Sequence, residues 1–241
     1  MSMTISTMTS DVINSGQLGG KASVAGSDPV AQALDRAGKR IEQQRASADV
    51  QVSAFGKIKS GFADVQAAGH ALANPGKAAT TADIIKAAQS FVSAVNTTTN
   101  AVSSATAKSG ALAGDGRAFV AGNDLARSLT SGSSTADLKK IGITTNRDGT
   151  LSVDTKALNT ALKNNPNAAK DTLAKVGGQA EKAASRELAG NVGDAVNTLT
   201  ARAKSLATQQ TAQSATSASL SANISNFAAS GIAAYLSVFS I

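Results

Sequence analysis

The chain has 241 residues, of which only 3% are aromatic and none is Trp, so the composition argues against a dense globular core and favours closely packed Ala-rich helices. The absence of cysteine excludes disulfides, thiolate metal sites and cysteine nucleophiles. The formal charge is +7, but Lys and Arg are spread along the chain without interleaved aromatic residues, which argues against a nucleic-acid-binding surface.

The N-terminal segment, residues 1–27, is rich in Ser, Thr, Gly and Asn. This composition predicts disorder. It contains no basic region followed by an apolar core, so a cleaved secretory signal is not visible. We therefore expect that any export of the chain uses a route without a cleaved signal peptide.

Residues 28–74 predict an N-terminal coiled-coil helix. Asp28 can cap it, Pro29 suits its first position, and residues 74–76, Asn-Pro-Gly, can end it. Its seam consists of apolar residues at seven-residue spacing, joined by three more in the second half: Leu34, Ile41, Ala48, Phe55 and Phe62, with Ile58, Val65 and Leu72.

Residues 81–190 predict a central helical region. A second helix begins near Thr81 and carries its apolar residues at Ile84, Ala88, Phe91, Val95 and Val102. A Gly-rich loop at 110–116 follows, and then a helix from Arg117 to about Leu129 with Phe119, Val120, Leu125 and Leu129 as its apolar residues.

One small β-hairpin is predicted inside this region, at about 141–153. Ile141 and Ile143 alternate with smaller residues, and Asp148-Gly149 between two such runs is typical of a hairpin turn. Asp154 can cap the next helix. Asn165-Pro166 starts another helix that reaches about Val176, and Gly177-Gly178 and residues 190–193 offer bends before the final long helix.

Residues 191–241 predict a C-terminal coiled-coil helix with an apolar tail. Its seam holds over about five heptads, in the order Val192, Val196, Leu199, Ala203, Leu206, Gln210, Gln213, Ser217, Leu220, Ile224 and Phe227. The polar members in the middle give up burial and favour a choice of register or partner. Because both ends of the chain carry a seam, they could pair with each other, antiparallel if they belong to one molecule.

No residue pattern indicates catalysis, a cofactor or a metal. His70 is the only histidine, so it has no partner for a metal site and fits a surface position. Asp115 lies between two glycines, where a carboxylate is commonly a turn residue. Nucleotide, hydrolase and zinc-protease motifs are missing, so we expect neither an enzyme nor a small-molecule substrate.

In their order, these segments resemble the flagellar filament cap family, the hook-associated protein 2 class. The resemblance covers roughly residues 30–230 and is carried by segments at 30–66, 84–104 and 109–129. The most specific is LKKIGITTNRDGTLSVDTKALNTALKNNPNAAKDTL at 138–173, which is similar to the hairpin-plus-helix unit of the family. Family members usually carry outer, mostly β domains after the first long helix, whereas here only residues 75–82 join the two helices.

The seams, the composition and the hairpin predict a mainly α fold, an elongated helical bundle with long N- and C-terminal coiled-coil helices. The resemblance implies that this bundle acts outside the cell as a structural protein of the bacterial flagellum. It implies export through the flagellar type III apparatus, a ring-like homo-oligomer at the distal filament end, and contacts with flagellin, hook-associated junction proteins and an export chaperone. Two alternatives remain: a hook–filament junction or minor filament component, and a secreted coiled-coil adhesin or binding module.

We predict that assembly contacts come from both terminal seams and from the tail at 231–241. Six large apolar groups at the end of a polar chain indicate a surface that another chain buries, while the alternative is burial in the molecule's own bundle. The predicted contact residues are Leu34, Ile41, Phe55, Phe62, Leu199, Leu206, Leu220, Ile224, Phe227, Tyr235, Leu236 and Phe239.

Overall fold

The computed structural model describes residues 29–76, 78–131 and 135–239, without the side chains of Tyr235, Val238 and Phe239. The disorder predicted for residues 1–27 and the cap predicted at Asp28 lie outside the described residues. Within them the fold is mainly α and elongated with one small hairpin, which confirms the predicted fold class. The elements are α1 Pro29–Ala73, α2 Thr81–Thr106, α3 Gly116–Ser131, α4 Thr135–Lys140, β1 Ile143–Thr145, β2 Leu151–Val153, α5 Thr155–Asn164, α6 Pro166–Ala189 and α7 Asn191–Phe239.

The two long helices set the dimensions of the molecule. α1 has 45 residues and α7 has 49, so at 1.5 Å per residue each is about 70 Å long. α6 and α7 both run antiparallel to α1, α6 along its C-terminal half and α7 along its N-terminal half. Gly190 caps α6 and separates it from α7, within the second of the two glycine segments at which the sequence predicted a bend.

The helix that begins at Asn165-Pro166 does not end near Val176, so that prediction is wrong; α6 continues through Gly177 and Gly178 to Ala189. These glycines do not bend the helix; Gly177 lets it approach α1. A Cβ added at Gly177 would lie 2.6 Å from the carbonyl oxygen of Gly69, and one added at Gly69 would lie 2.7 Å from that of Gly177. The two backbones therefore touch where neither residue has a side chain.

The core lies between α1, α2, α3 and α6. Phe55, Phe62 and Phe91 are its largest side chains, and each is fully buried. Thr80 starts α2 with a capping box, in which its hydroxyl accepts from the Asp83 amide while the Asp83 carboxylate accepts from the Thr80 amide. The buried face of α2 is the one that the periodicity predicted, which confirms that prediction.

The hairpin is a two-stranded antiparallel sheet with Ile143 opposite Val153 and Thr145 opposite Leu151. It is shorter than predicted, because Ile141 and Gly142 lie in a turn before β1. Gly149 has a φ of +82°, which the turn requires and which glycine adopts without strain. The caps of the following helices are as predicted: the Asp154 carboxylate accepts from two amides of α5, and Asn165 with Pro166 starts α6.

α3 buries a different set of residues from the one that its large apolar residues indicated. Leu125 and Leu129 are buried, but Phe119 is 61% exposed and Val120 is 44% exposed. The buried face is completed by small residues instead, Ala118, Ala121 and Ser128. Close packing of α3 needs small side chains, so its Phe and Val remain in solvent.

Candidate assembly surface

The pairing of α1 with α7 begins with an apolar part just after Gly190. Val192 and Ala195 have no exposed surface, and Leu199 and Leu206 are each 5% exposed. Val192, Leu199 and Leu206 belong to the first half of the C-terminal seam, and Ala195 lies beside it. The structure therefore places this half of the seam inside the chain's own bundle.

Farther along, the pairing becomes polar. The Arg45 guanidinium Nη1 donates to the Gln210 side-chain oxygen at 2.8 Å. The Gln213 amide Nε2 donates to the backbone carbonyl of Leu34, beside Gly38, which leaves room for it. A shift of one residue between the helices would break both bonds, so these glutamines favour one register.

Beyond Gln213 the two helices leave an open groove of about 460 Å³. Leu34 and Leu220 line it from the two sides and are half-buried, and Ser217 and Ile224 lie along the α7 side. The seam here is only partly covered by α1.

The rest of α7 carries large apolar side chains in solvent. Ile224 is 48% exposed, Phe227 84%, Ile232 62% and Leu236 61%. The sequence also has no Asp, Glu, Lys or Arg after Lys204, so residues 205–239 form a helix surface without charged side chains. We call residues 205–239 the uncharged segment.

The predicted contact residues fall into four groups. Phe55, Phe62, Leu199 and Leu206 are buried within the chain; Leu34, Ile41 and Leu220 are half-buried along the α1–α7 pair; Ile224, Phe227 and Leu236 are exposed; Tyr235 and Phe239 have no described side chain. The buried group supports the fold and is not accessible to another chain in this conformation. The exposed group forms the accessible part of the surface.

Asp115 acts as the turn residue that the sequence predicted. Its carboxylate accepts from the Arg117 amide and forms a two-pronged ion pair with the Arg117 guanidinium, which lowers the pKa of Asp115. The guanidinium of Arg117 in turn lies 5.3 Å from the ring centroid of Phe55, within the range of a cation–π contact. Asp115, Arg117 and Phe55 thus hold the start of α3 against α1.

His70 is exposed and lies 3.0 Å from a carboxylate oxygen of Glu181 on α6. Among the described residues no cluster of His, Asp and Glu has the arrangement of a metal site. In the same part of the chain, no helix is both long and apolar enough to cross a membrane.

The fold and this surface define a helical protein in which α1 and the first part of α7 pair antiparallel. The last part of α7 is uncharged and exposes large apolar side chains. The sequence profile described as flagellar hook-associated protein 2 C-terminus matches residues 78–232, from just before α2 to near the end of α7. Since this is more than half of the chain, the protein belongs to the flagellar hook-associated protein 2 family, which confirms the family that the sequence indicated. No curated protein and no solved structure matches the chain.

Proposed function

We propose that the chain is a structural axial protein of the bacterial flagellum that caps the distal filament end and promotes flagellin assembly. It would act outside the cell as a ring-like homo-oligomer, after export without a cleaved signal peptide. Family membership supports the flagellar role. The observation that carries the assembly role is the uncharged segment with its exposed apolar side chains.

This surface suits burial by protein on several sides. A helix without charged side chains can be surrounded without leaving an unpaired charge in a low-dielectric contact. Its Ala and Ser residues allow close approach of neighbouring helices, and burying each exposed Ile, Leu or Phe side chain contributes on the order of 1–2 kcal/mol. Flagellin, a hook-associated junction protein and an export chaperone are the partners we propose for it.

The connection between α1 and α2 bears on the form of the cap. Only residues 74–80 separate Ala73 from Thr81. A cap made of this chain therefore has no domain at that place, and the compact bundle of α2 to α6 has to form its body. The proposed ring is a helical one.

The test compares flagellin in the culture medium with flagellin on filaments, in cells that lack the gene and in complemented cells. Leaked flagellin with stunted filaments supports the proposal. Filaments that grow to normal length but detach at the hook would indicate a junction component. Normal attached filaments without leakage would contradict both flagellar roles and favour the secreted binding module.

Two matched variants locate the contact. Phe227→Asn alters the 84% exposed ring of the uncharged segment, and Phe119→Asn alters a 61% exposed ring on α3. Only the first should fail to complement, and a chain that ends at residue 230 tests whether the tail is needed. Equal complementation by both variants would count against the uncharged segment as the contact surface.

A further inference from the structure

A polar cleft of about 430 Å³ lies between α3 and α6, away from the uncharged segment. The two helices run antiparallel here. The Ser131 hydroxyl donates to the Gln179 side-chain oxygen at 2.6 Å near one end, and Asp124 of α3 and Arg186 of α6 line the other. The helices are joined at the edge of the cleft, so its walls are held in place.

Positive charge converges on this cleft. Arg127, Lys182 and Arg186 line it, against the single carboxylate of Asp124. Arg127 lies 3.4 Å from Asp124, whereas neither Lys182 nor Arg186 forms an ion pair with a described residue. The charge of Lys182 is therefore not paired in the cleft, and the charge of Arg186 is offset only by Glu187, the next residue in the chain.

The two cations that α6 contributes to the cleft stand one helical turn apart. Lys182 and Arg186 have the i, i+4 spacing that brings like charges together and destabilises a helix. The neighbouring acidic residues relieve this only in part: Glu181 contacts His70, and Glu187, on whose carboxyl the charge of Arg186 acts, accepts from the Asn191 amide. An external anion would offset the repulsion.

We propose that this cleft binds an acidic helical segment of a partner protein through Arg127, Lys182 and Arg186. From Asp124 to Ser131 the cleft extends about 10 Å along α3, which is longer than a phosphate ion. Two carboxylates one turn apart on a helix match the spacing of Lys182 and Arg186, and a guanidinium can hold a carboxylate with two hydrogen bonds. The site goes beyond the proposed function, since the uncharged segment has no charges with which to bind such a partner.

The probe is a fluorescein-labelled helical peptide with Glu pairs at i, i+4, and the matched peptide has Gln at those positions. Fluorescence anisotropy with the full chain should show binding of the Glu peptide alone, weakening as salt is raised. Lys182→Gln/Arg186→Gln should weaken binding about tenfold, since two exposed ion pairs with the peptide are lost. The control Lys156→Gln/Lys163→Gln removes the same charge from α5 and should change the affinity by less than about twofold.

Three results would overturn the proposal. Equal weakening by the two double variants would show attraction to net charge alone. Binding of the Gln peptide as tight as that of the Glu peptide would remove the carboxylates from the interaction. Full displacement of the Glu peptide by inorganic phosphate at millimolar concentration would make the cleft a small-anion site.

Discussion

At the scale of single residues, Gly69 and Gly177 decide how closely α1 and α6 approach. Each has the carbonyl oxygen of the other where its own Cβ would be. Backbone atoms cannot rotate away as a side chain can, so a methyl group here has to push the helices apart. Both glycines lie inside helices and far apart in the chain, so the sequence does not indicate that they contact each other.

Gly69→Ala should therefore lower the free energy of unfolding by about 1–3 kcal/mol, because the added Cβ overpacks a backbone contact. Gly56→Ala in the same helix meets nothing within 4 Å and should raise it by about 0.5–1 kcal/mol. Urea denaturation of the two variants measures both. A Gly69→Ala variant as stable as the wild-type protein would mean that the helices are not held this closely.

Glu187 makes the stability of the fold depend on pH. The residue is 3% exposed, and burial raises the pKa of its carboxyl; the Asn191 amide and the charge of Arg186 work against this rise, and Asp124 adds to it. Because the folded-state pKa lies above the unfolded one, this group's contribution to stability is full below the unfolded pKa and is lost as pH rises through the folded pKa.

Glu187→Gln should accordingly melt higher than the wild-type protein at pH 7, by about 2 °C. The amide keeps an oxygen that can accept from Asn191, and no charge has to be buried. The difference should shrink as the pH is lowered toward 4, where most of the wild-type carboxyl is protonated in both states. A difference in melting temperature that is constant between pH 4 and 7 would contradict this account.

At the scale of elements, the hairpin is held by a helix that is remote in sequence. The Asn96 side chain of α2 donates to the Leu151 carbonyl at 2.8 Å and accepts from the Leu151 amide at 2.7 Å. It thus pairs with β2 as a neighbouring strand would. A two-stranded hairpin alone is marginally stable in water, so this anchor gives it a fixed place.

Asn96→Ala should cost about 1–3 kcal/mol, because it leaves two backbone groups of β2 without partners. Amide hydrogen exchange should accelerate at Leu151 before it does in α1. Asn100→Ala, which alters an exposed side chain on the same helix, should stay within about 0.5 kcal/mol of the wild-type protein. Unchanged exchange at Leu151 in the Asn96 variant would show that the hairpin is held by other contacts.

At the scale of the whole molecule, the chain divides into a charged bundle and an uncharged end. All of its Asp, Glu, Lys and Arg residues lie at or before Lys204. If the uncharged segment is the assembly contact, then ion pairs do not hold the assembly together, and it should be insensitive to ionic strength. Binding of an acidic segment to the cleft between α3 and α6 should instead weaken as salt is raised.

Ile224→Asp should abolish assembly and leave the helical content of the monomer nearly unchanged, because this half-exposed position would bury an unpaired charge only in the assembled state. Ile224→Val should assemble like the wild-type chain. Light scattering at two salt concentrations and circular dichroism provide the two readouts. Normal assembly of the Asp variant would show that this part of α7 is not the contact surface.

The sequence by itself determined the local structure. The helices α1 and α7, the caps at Asp154 and Asn165, and the turn at Gly149 all arise from interactions between residues close in the chain, and the structure has them as predicted. The order of these segments also determined the family.

Only the tertiary structure decided which apolar faces are covered. A heptad seam specifies the face of a helix that seeks a partner but not the length over which a partner covers it, so Phe62 and Phe227 look alike in sequence although one is fully buried and the other is 84% exposed. In the same way, Gly177 became a contact with α1, and Arg127 came to face Arg186, because close packing brings together residues far apart in the chain.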